Sequence, residues 1–150
     1  MTDRLRAVLD TNVFVSAVLS RSATSPTREL IERWKAGEFT LLVSDALLEE
    51  LVDKLLEKAI DTDRITDLAT SILQMAEWVD VPASAVRPVI MDDPDDDHVV
   101  ACAVVGKAGF LVTYDPHFDQ LAGSYRSFSV VKALPFLWAV RGDEPPVEES

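Results

Sequence analysis

Apolar residues in this chain follow two rhythms, short continuous runs and longer stretches with helical spacing, and the two alternate along its length. The run LRAVLD predicts a first strand, followed by a helix over TNVFVSAVLS in which Val13, Ala17 and Val18 recur at helical spacing. After the polar loop SRSATSP, Ser25 as N-cap and Pro26 at the first helical position open a helix through TRELIERWKA that stops at Gly37. FTLLVS reads as the second strand. Ser44 or Asp45 then caps a helix striped by Leu47, Leu48, Leu51, Val52, Leu55 and Leu56. A further helix is expected from Asp63 to Trp78, with Ile65, Leu68, Ala69, Ile72, Leu73 and Ala76 facing inward. WVDVP follows as a short third strand closed by Pro82.

Downstream, ASAVRPVIMDDPDDD reads as a loop, and from Asp97 the run HVVACAVVGKAG is apolar nearly all round, as a buried helix is, with Gly109 as its stop. FLVTYD is the fourth strand, PHFDQLAG a short helical turn, SFSVV a fifth strand, and KALPFLWAVRG a terminal helix or hook interrupted at Pro135. Residues 1–142 are expected to form one domain, and the acidic, proline-containing residues 143–150 a frayed tail. Short apolar strands alternating with helices call for an α/β fold, with a mostly parallel sheet of about five strands covered on both faces. Ligands in such folds sit beyond the carboxyl ends of the strands, near the point where strand order reverses.

Composition narrows the class. With 150 residues, 48% hydrophobic and 27% charged, the chain suits a single domain that buries roughly 70% of its unfolded surface. Its longest apolar runs, VVACAVV and FLWAV, are too short to cross a bilayer, and MTDRLRAVLD has no signal-peptide core, so a cytoplasmic protein with no membrane span is expected. The lone Cys102 lies inside VVACAVV, where a small core residue is expected rather than a nucleophile. The balance of 14 basic against 26 acidic residues, −12 in all, argues against a protein that grips nucleic acid by broad phosphate neutralisation. Any phosphate chemistry must take its positive charge from metal ions or a local basic rim.

Four places put an acid where a strand ends or a helix begins: Asp10, Glu49/Glu50, the run DDPDDDHVVACA, and Asp115. Carboxylates held together repel unless a cation neutralises them, so one shared pocket points to bound Mg²⁺ or Mn²⁺. Asp10 ends the first strand, and Asn12 and Ser16 lie four apart on the next helix, able to face the same mouth. LDTN taken alone fits a helix N-cap equally well. Five of the six residues from Asp92 to Asp97 are aspartate, and Asp97 stands apart because it precedes the buried helix and meets the positive end of its dipole. An EF-hand is excluded, since His98 stands where glycine is required and Val104 where the bidentate glutamate should be. Glu49 and Glu50 flank their apolar stripe at comparable angles, and periodicity does not choose between them. Asp115 ends a strand with Thr113 on the same face, and His117 beside Phe118 reads as a surface residue.

In order, LDTNVFVSA, SDALLEEL, DPDDDHVVACA and LVTYDPHF resemble the motifs of the PIN-domain ribonucleases, in particular the small bacterial VapC-like toxins of toxin–antitoxin pairs. The likeness spans Arg6 to about Ala133. It implies a PIN-like three-layer α/β/α sandwich and a Mg²⁺- or Mn²⁺-dependent endoribonuclease. Carried onto this chain, the resemblance makes Asp10, Glu50, Asp97 and Asp115 the catalytic and metal-binding carboxylates, supported by Asn12, Ser16 and Thr113. Glu50 is preferred to Glu49 because the family's glutamate usually precedes a leucine, here Leu51; Asp96 remains the alternate to Asp97. Where many relatives place another acid or amide shortly after the last aspartate, this chain has His117 and then Asp119.

The resemblance also implies an RNA substrate, a cognate antitoxin protein covering the active-site mouth, and a homodimer. Arg21, Arg28, Arg87 and Lys107 are candidate rim contacts for RNA, and Trp34 and Trp78 fit either core or an interface. One rival is an inactive PIN-fold binding module, against which the intact acidic set argues. Another is a haloacid-dehalogenase-like phosphatase, whose DxDxT motif would need an acid where Asn12 stands.

Overall fold

The computed structural model describes residues 4–88, 96–121 and 127–143. Five strands, β1 (Arg6–Leu9), β2 (Thr40–Val43), β3 (Glu77–Trp78), β4 (Phe110–Val112) and β5 (Ser129–Val131), form one sheet in the order β3-β2-β1-β4-β5. Every pairing is parallel, in register Ala7 with Leu41 on one side and Val8 with Leu111 on the other. Neighbouring residues of a strand face opposite sides of the sheet. Ala7, Val8, Leu41, Leu42, Leu111 and Val112 are nevertheless all fully buried, so both faces are covered, as an all-parallel sheet requires.

Among the described residues, six α-helices supply that cover: α1 (Thr11–Leu19), α2 (Pro26–Lys35), α3 (Asp45–Glu57), α4 (Thr62–Met75), α5 (Asp97–Val105) and α6 (Ala133–Arg141). Ser44 caps α3 by accepting from the Leu47 amide, and Asp61 caps α4 through the Asp63 amide. Leu47, Leu51 and Leu55 form the buried stripe of α3, and Ile65, Leu68 and Ile72 that of α4. Phe136 of α6 meets Phe39 and Phe110 edge to face, at centroid distances of 5.0 and 5.1 Å.

Several boundaries differ from the expectation. Helix α4 ends at Met75 instead of Trp78, because Ala76 turns extended and Glu77–Trp78 pair with Leu42 and Val43 as strand β3. Leu73 is 63% exposed and Leu56 55% exposed: three residues per helix at spacings of three and four already fill the available core face, and these two fall beyond it. Helix α5 stops at Val105, not Gly109, with Gly106 as cap and Lys107 at φ 55° turning the chain into β4. Pro135 does not interrupt α6, since it stands in the first turn, where its missing N–H has no partner to lose. Trp34 is buried and Trp78 exposed. Asp92 to Asp95, and residues 144–150 of the expected tail, lie outside the described residues.

The chain runs outward from β1 through β2 to β3, then returns across to β4 and β5. Strand order therefore reverses between β1 and β4, and the crevice beyond their carboxyl ends is where a ligand has room.

Candidate active site

Asp10 follows the last residue of β1 directly, and its amide donates to the Val112 carbonyl at 2.9 Å, which fixes it at the β1–β4 crevice. The side chain is 2% exposed and doubly hydrogen-bonded: Oδ1 accepts from the Thr11 amide and Oδ2 from the Thr113 hydroxyl, each at 2.8 Å. Asp10 thus caps α1 and faces the crevice where the candidate site lies. Burial raises its pKa above the ordinary carboxylate value and the charge of Asp115 pushes the same way, against the two hydrogen bonds and Lys54.

Thr113, one residue beyond β4, is the hub of the crevice. Its Oγ1 also accepts from the Asp115 amide at 3.0 Å and lies 3.5 Å from Asn12 Nδ2, while Asn12 Oδ1 accepts from the Tyr114 amide at 3.3 Å. Asn12 therefore laces α1 to the loop after β4. Ser16 is engaged elsewhere, 3.2 Å from the Thr27 hydroxyl of α2.

Ligand atoms of Asp96, Asp115 and His117 lie within 4.8 Å of one another, the group of this kind among the described residues. His117 Nδ1 stands 3.4 Å from Asp115 Oδ1 and 3.9 Å from Asp96 Oδ2, buried and without a hydrogen-bond partner. The His117 amide in turn donates to Asp115 Oδ1 at 2.9 Å. Asp96 is 3% and Asp97 5% exposed, at the N-cap and first residue of α5. Both are buried at the start of the helix, and it is Asp96 that joins Asp115 and His117.

Glu49 is exposed on α3, whereas Glu50 is half-buried and meets Lys54 one turn later, Oε1 to Nζ 3.1 Å. The same ammonium donates to Thr11 Oγ1 at 3.1 Å. Burial works against the charge on Lys54, but Glu50, Asp10 and Asp96 outweigh it and hold its pKa above the ordinary value. Asp119 is exposed and shares with Asp115, Tyr114 and Lys132 a cleft of about 300 Å³ beside the carboxylates.

His117 and Lys54 are the residues that sequence reasoning passed over. A signal existed for Lys54, which stands four residues after Glu50 on one helix and so within ion-pair reach. For His117 the signal was its place two residues after Asp115, whereas its second acidic neighbour, Asp96, comes from a separate element. Of the expected rim cations, Arg21, Arg87 and Lys107 are exposed, and Arg28 lines a groove bounded by α1, α2 and α4, where its guanidinium reaches the Ser22 carbonyl at 3.4 Å.

The donor set suits a hard divalent cation. Carboxylate oxygens predominate, and an imidazole nitrogen faces two of them with no hydrogen-bond partner of its own. Cys102 takes no part. It is fully buried, and burial pushes its thiol up to about 12.

A family model described as PIN domain matches residues 6–117. No match was found among curated proteins. Among solved structures, 15 chains match. One comes from VapBC2 of Rickettsia felis, crystallised bound to a DNA fragment from its promoter; it is 17% identical, covers 84% of this chain and 97% of that chain, and has a TM-score of 0.57. At that identity the likeness is one of fold.

Proposed function

The chain belongs to the PIN domain family, and from that premise we propose that it is a metal-dependent endoribonuclease, the toxin of a toxin–antitoxin pair. The observation that carries the reading is the gathering of Asp10, Asp96 and Asp115 with Thr113 and His117 at the carboxyl ends of β1 and β4. Asp96, Asp115 and His117 would hold a Mg²⁺ or Mn²⁺ ion, with Asp10 and the Lys54-paired Glu50 near them and Asp97, next in the chain, as the alternate to Asp96. When bound, such an ion polarises a phosphate oxygen and lowers the pKa of a water molecule for in-line attack on phosphorus.

The protein's own groups orient and neutralise. Thr113 fixes the Asp10 carboxylate and, through the Asp115 amide, the start of the turn that carries His117. Asn12 fixes the backbone at Tyr114. Lys54 places a positive charge among the acids, which lowers the repulsion an incoming phosphodiester meets. The cleft lined by Tyr114, Asp119 and Lys132 gives a strand of RNA room to lie against Asp115.

The VapBC2 likeness supports a protein partner for this chain. The groove between α1, α2 and α4, about 320 Å³, mixes apolar Phe14 and Leu68 with charges of both signs, Arg28, Arg64, Glu32 and Asp67, and would offer an antitoxin segment an amphipathic seat. No described helix is long and apolar enough to cross a membrane. We place the protein in the cytoplasm, where RNA and a cognate antitoxin are met, and expect a homodimer.

Incubation of purified, antitoxin-free protein with single-stranded and structured RNA, in Mg²⁺, Mn²⁺ or EDTA, tests the reading. Internal cleavage with either ion and none in EDTA is expected. Cleavage that persists in EDTA overturns the metal dependence, and intact RNA in every condition moves the chain to a binding role.

A further inference from the structure

Lys54 occupies a place in the pocket that the proposed chemistry does not by itself require. Its ammonium has three donors. One meets Glu50 Oε1 at 3.1 Å and another the hydroxyl of Thr11 at 3.1 Å. Thr11 is 1% exposed and its amide holds Asp10 Oδ1, so this hydroxyl is anchored and sets the ammonium beside Asp10. The charge is felt at Asp10 and Asp96 as well as at Glu50. Glu50 and Lys54 lie one turn apart on α3, so the ammonium is held to Glu50 from the same helix.

We propose that Lys54 is the resident cation of the Glu50 corner, so that the pocket takes one divalent ion, on the Asp96, Asp115 and His117 side, and not two. The inference rests on the metal-dependent reading of the site. A second ion using Glu50 would have to lie about 2.1 Å from a carboxylate oxygen. Of the two oxygens Oε1 has the Lys54 ammonium 3.1 Å away, tied on its other side to Thr11, and an ion on the other oxygen of the same carboxylate would still face that ammonium at close range. Two cations at such spacing repel strongly unless the lysine leaves, and leaving breaks both of its contacts. The Asp96, Asp115 and His117 corner offers its ion two carboxylates and an imidazole, which ligates when neutral.

The test counts ions without reference to RNA cleavage. Mn²⁺ binding to the metal-free full chain is measured by the loss of the free-ion paramagnetic resonance signal and by titration calorimetry. The parent is compared with Lys54→Met, Lys54→Arg and the double variant Glu50→Gln/Lys54→Met, each first shown to keep the parent's circular dichroism and melting behaviour. The expected result is one ion per chain in the parent and in Lys54→Arg, two in Lys54→Met, and one again in the double variant. Two ions in the parent, or one in Lys54→Met, overturns the proposal while leaving a metal site in place. No Mn²⁺ bound to any of the four overturns the metal reading itself, and this inference with it.

Discussion

Thr113 and Asp10 stand 103 positions apart in sequence, yet the threonine hydroxyl donates to Asp10 Oδ2 at 2.8 Å across the junction of two neighbouring strands. Thr113 Oγ1 in turn accepts from the Asp115 amide. One hydroxyl therefore orients one carboxylate and positions the backbone of another.

Thr113→Val keeps the shape of the side chain and removes both contacts. A stability loss of about 1–3 kcal/mol is expected, because a buried carboxylate and an amide lose their partner together. Metal affinity or cleavage is expected to fall by about 10- to 100-fold, the usual cost of removing a residue that orients a ligand. Denaturant melts and Mn²⁺ titration check the two effects separately.

Asp10 gives the metal-free protein a defined pH response. Its folded pKa is raised above the unfolded value, chiefly by burial, so the folded state binds more protons in the interval between the two. Stability from this group falls as pH rises through that interval, and the full penalty is present above the raised value. In EDTA, Asp10→Asn is expected to gain stability relative to the parent as pH rises from acid to neutral. Melting curves across that range check the sign, and a difference that stays constant with pH contradicts it.

Gly106 is held by space rather than by backbone angle, its φ being −77°. A Cβ there would lie 2.9 Å from the Cys102 carbonyl and 2.9 Å from Val79 Cγ2, with Leu42 Cδ1 at 3.1 Å. Gly106→Ala is expected to destabilise by about 1–3 kcal/mol through overpacking between α5, β2 and the segment after β3. Chemical denaturation measures it.

Much of the fold was legible because the strands are short apolar runs that end in polar groups, and β1 and β4 carry Asp10 and Thr113 at those ends. Local periodicity reached less far wherever the third dimension decides. Leu56 and Leu73 match their helical stripes in sequence, yet lie outside the packed face. Periodicity did not separate Glu49 from Glu50, whereas the docked α3 leaves one exposed and the other beside Lys54. Asp96 and Asp97 are adjacent at a helix start, and only the approach of Asp115 and His117 singles out Asp96 as their neighbour. His117 read as a surface residue beside Asp115 for the same reason, since its other acidic neighbour, Asp96, comes from a segment 21 positions away in the chain (117 − 96).

The most direct measurement compares the parent and Asp10→Asn on the same end-labelled RNA, with Mn²⁺ or Mg²⁺ and with EDTA. A carboxylate-built nuclease predicts internal cleavage by the parent only when metal is present, and loss of at least two orders of magnitude in rate in a variant that remains folded. Cleavage by Asp10→Asn at the parent's rate would contradict the account, because the most deeply buried acid of the crevice would then have no part in the chemistry.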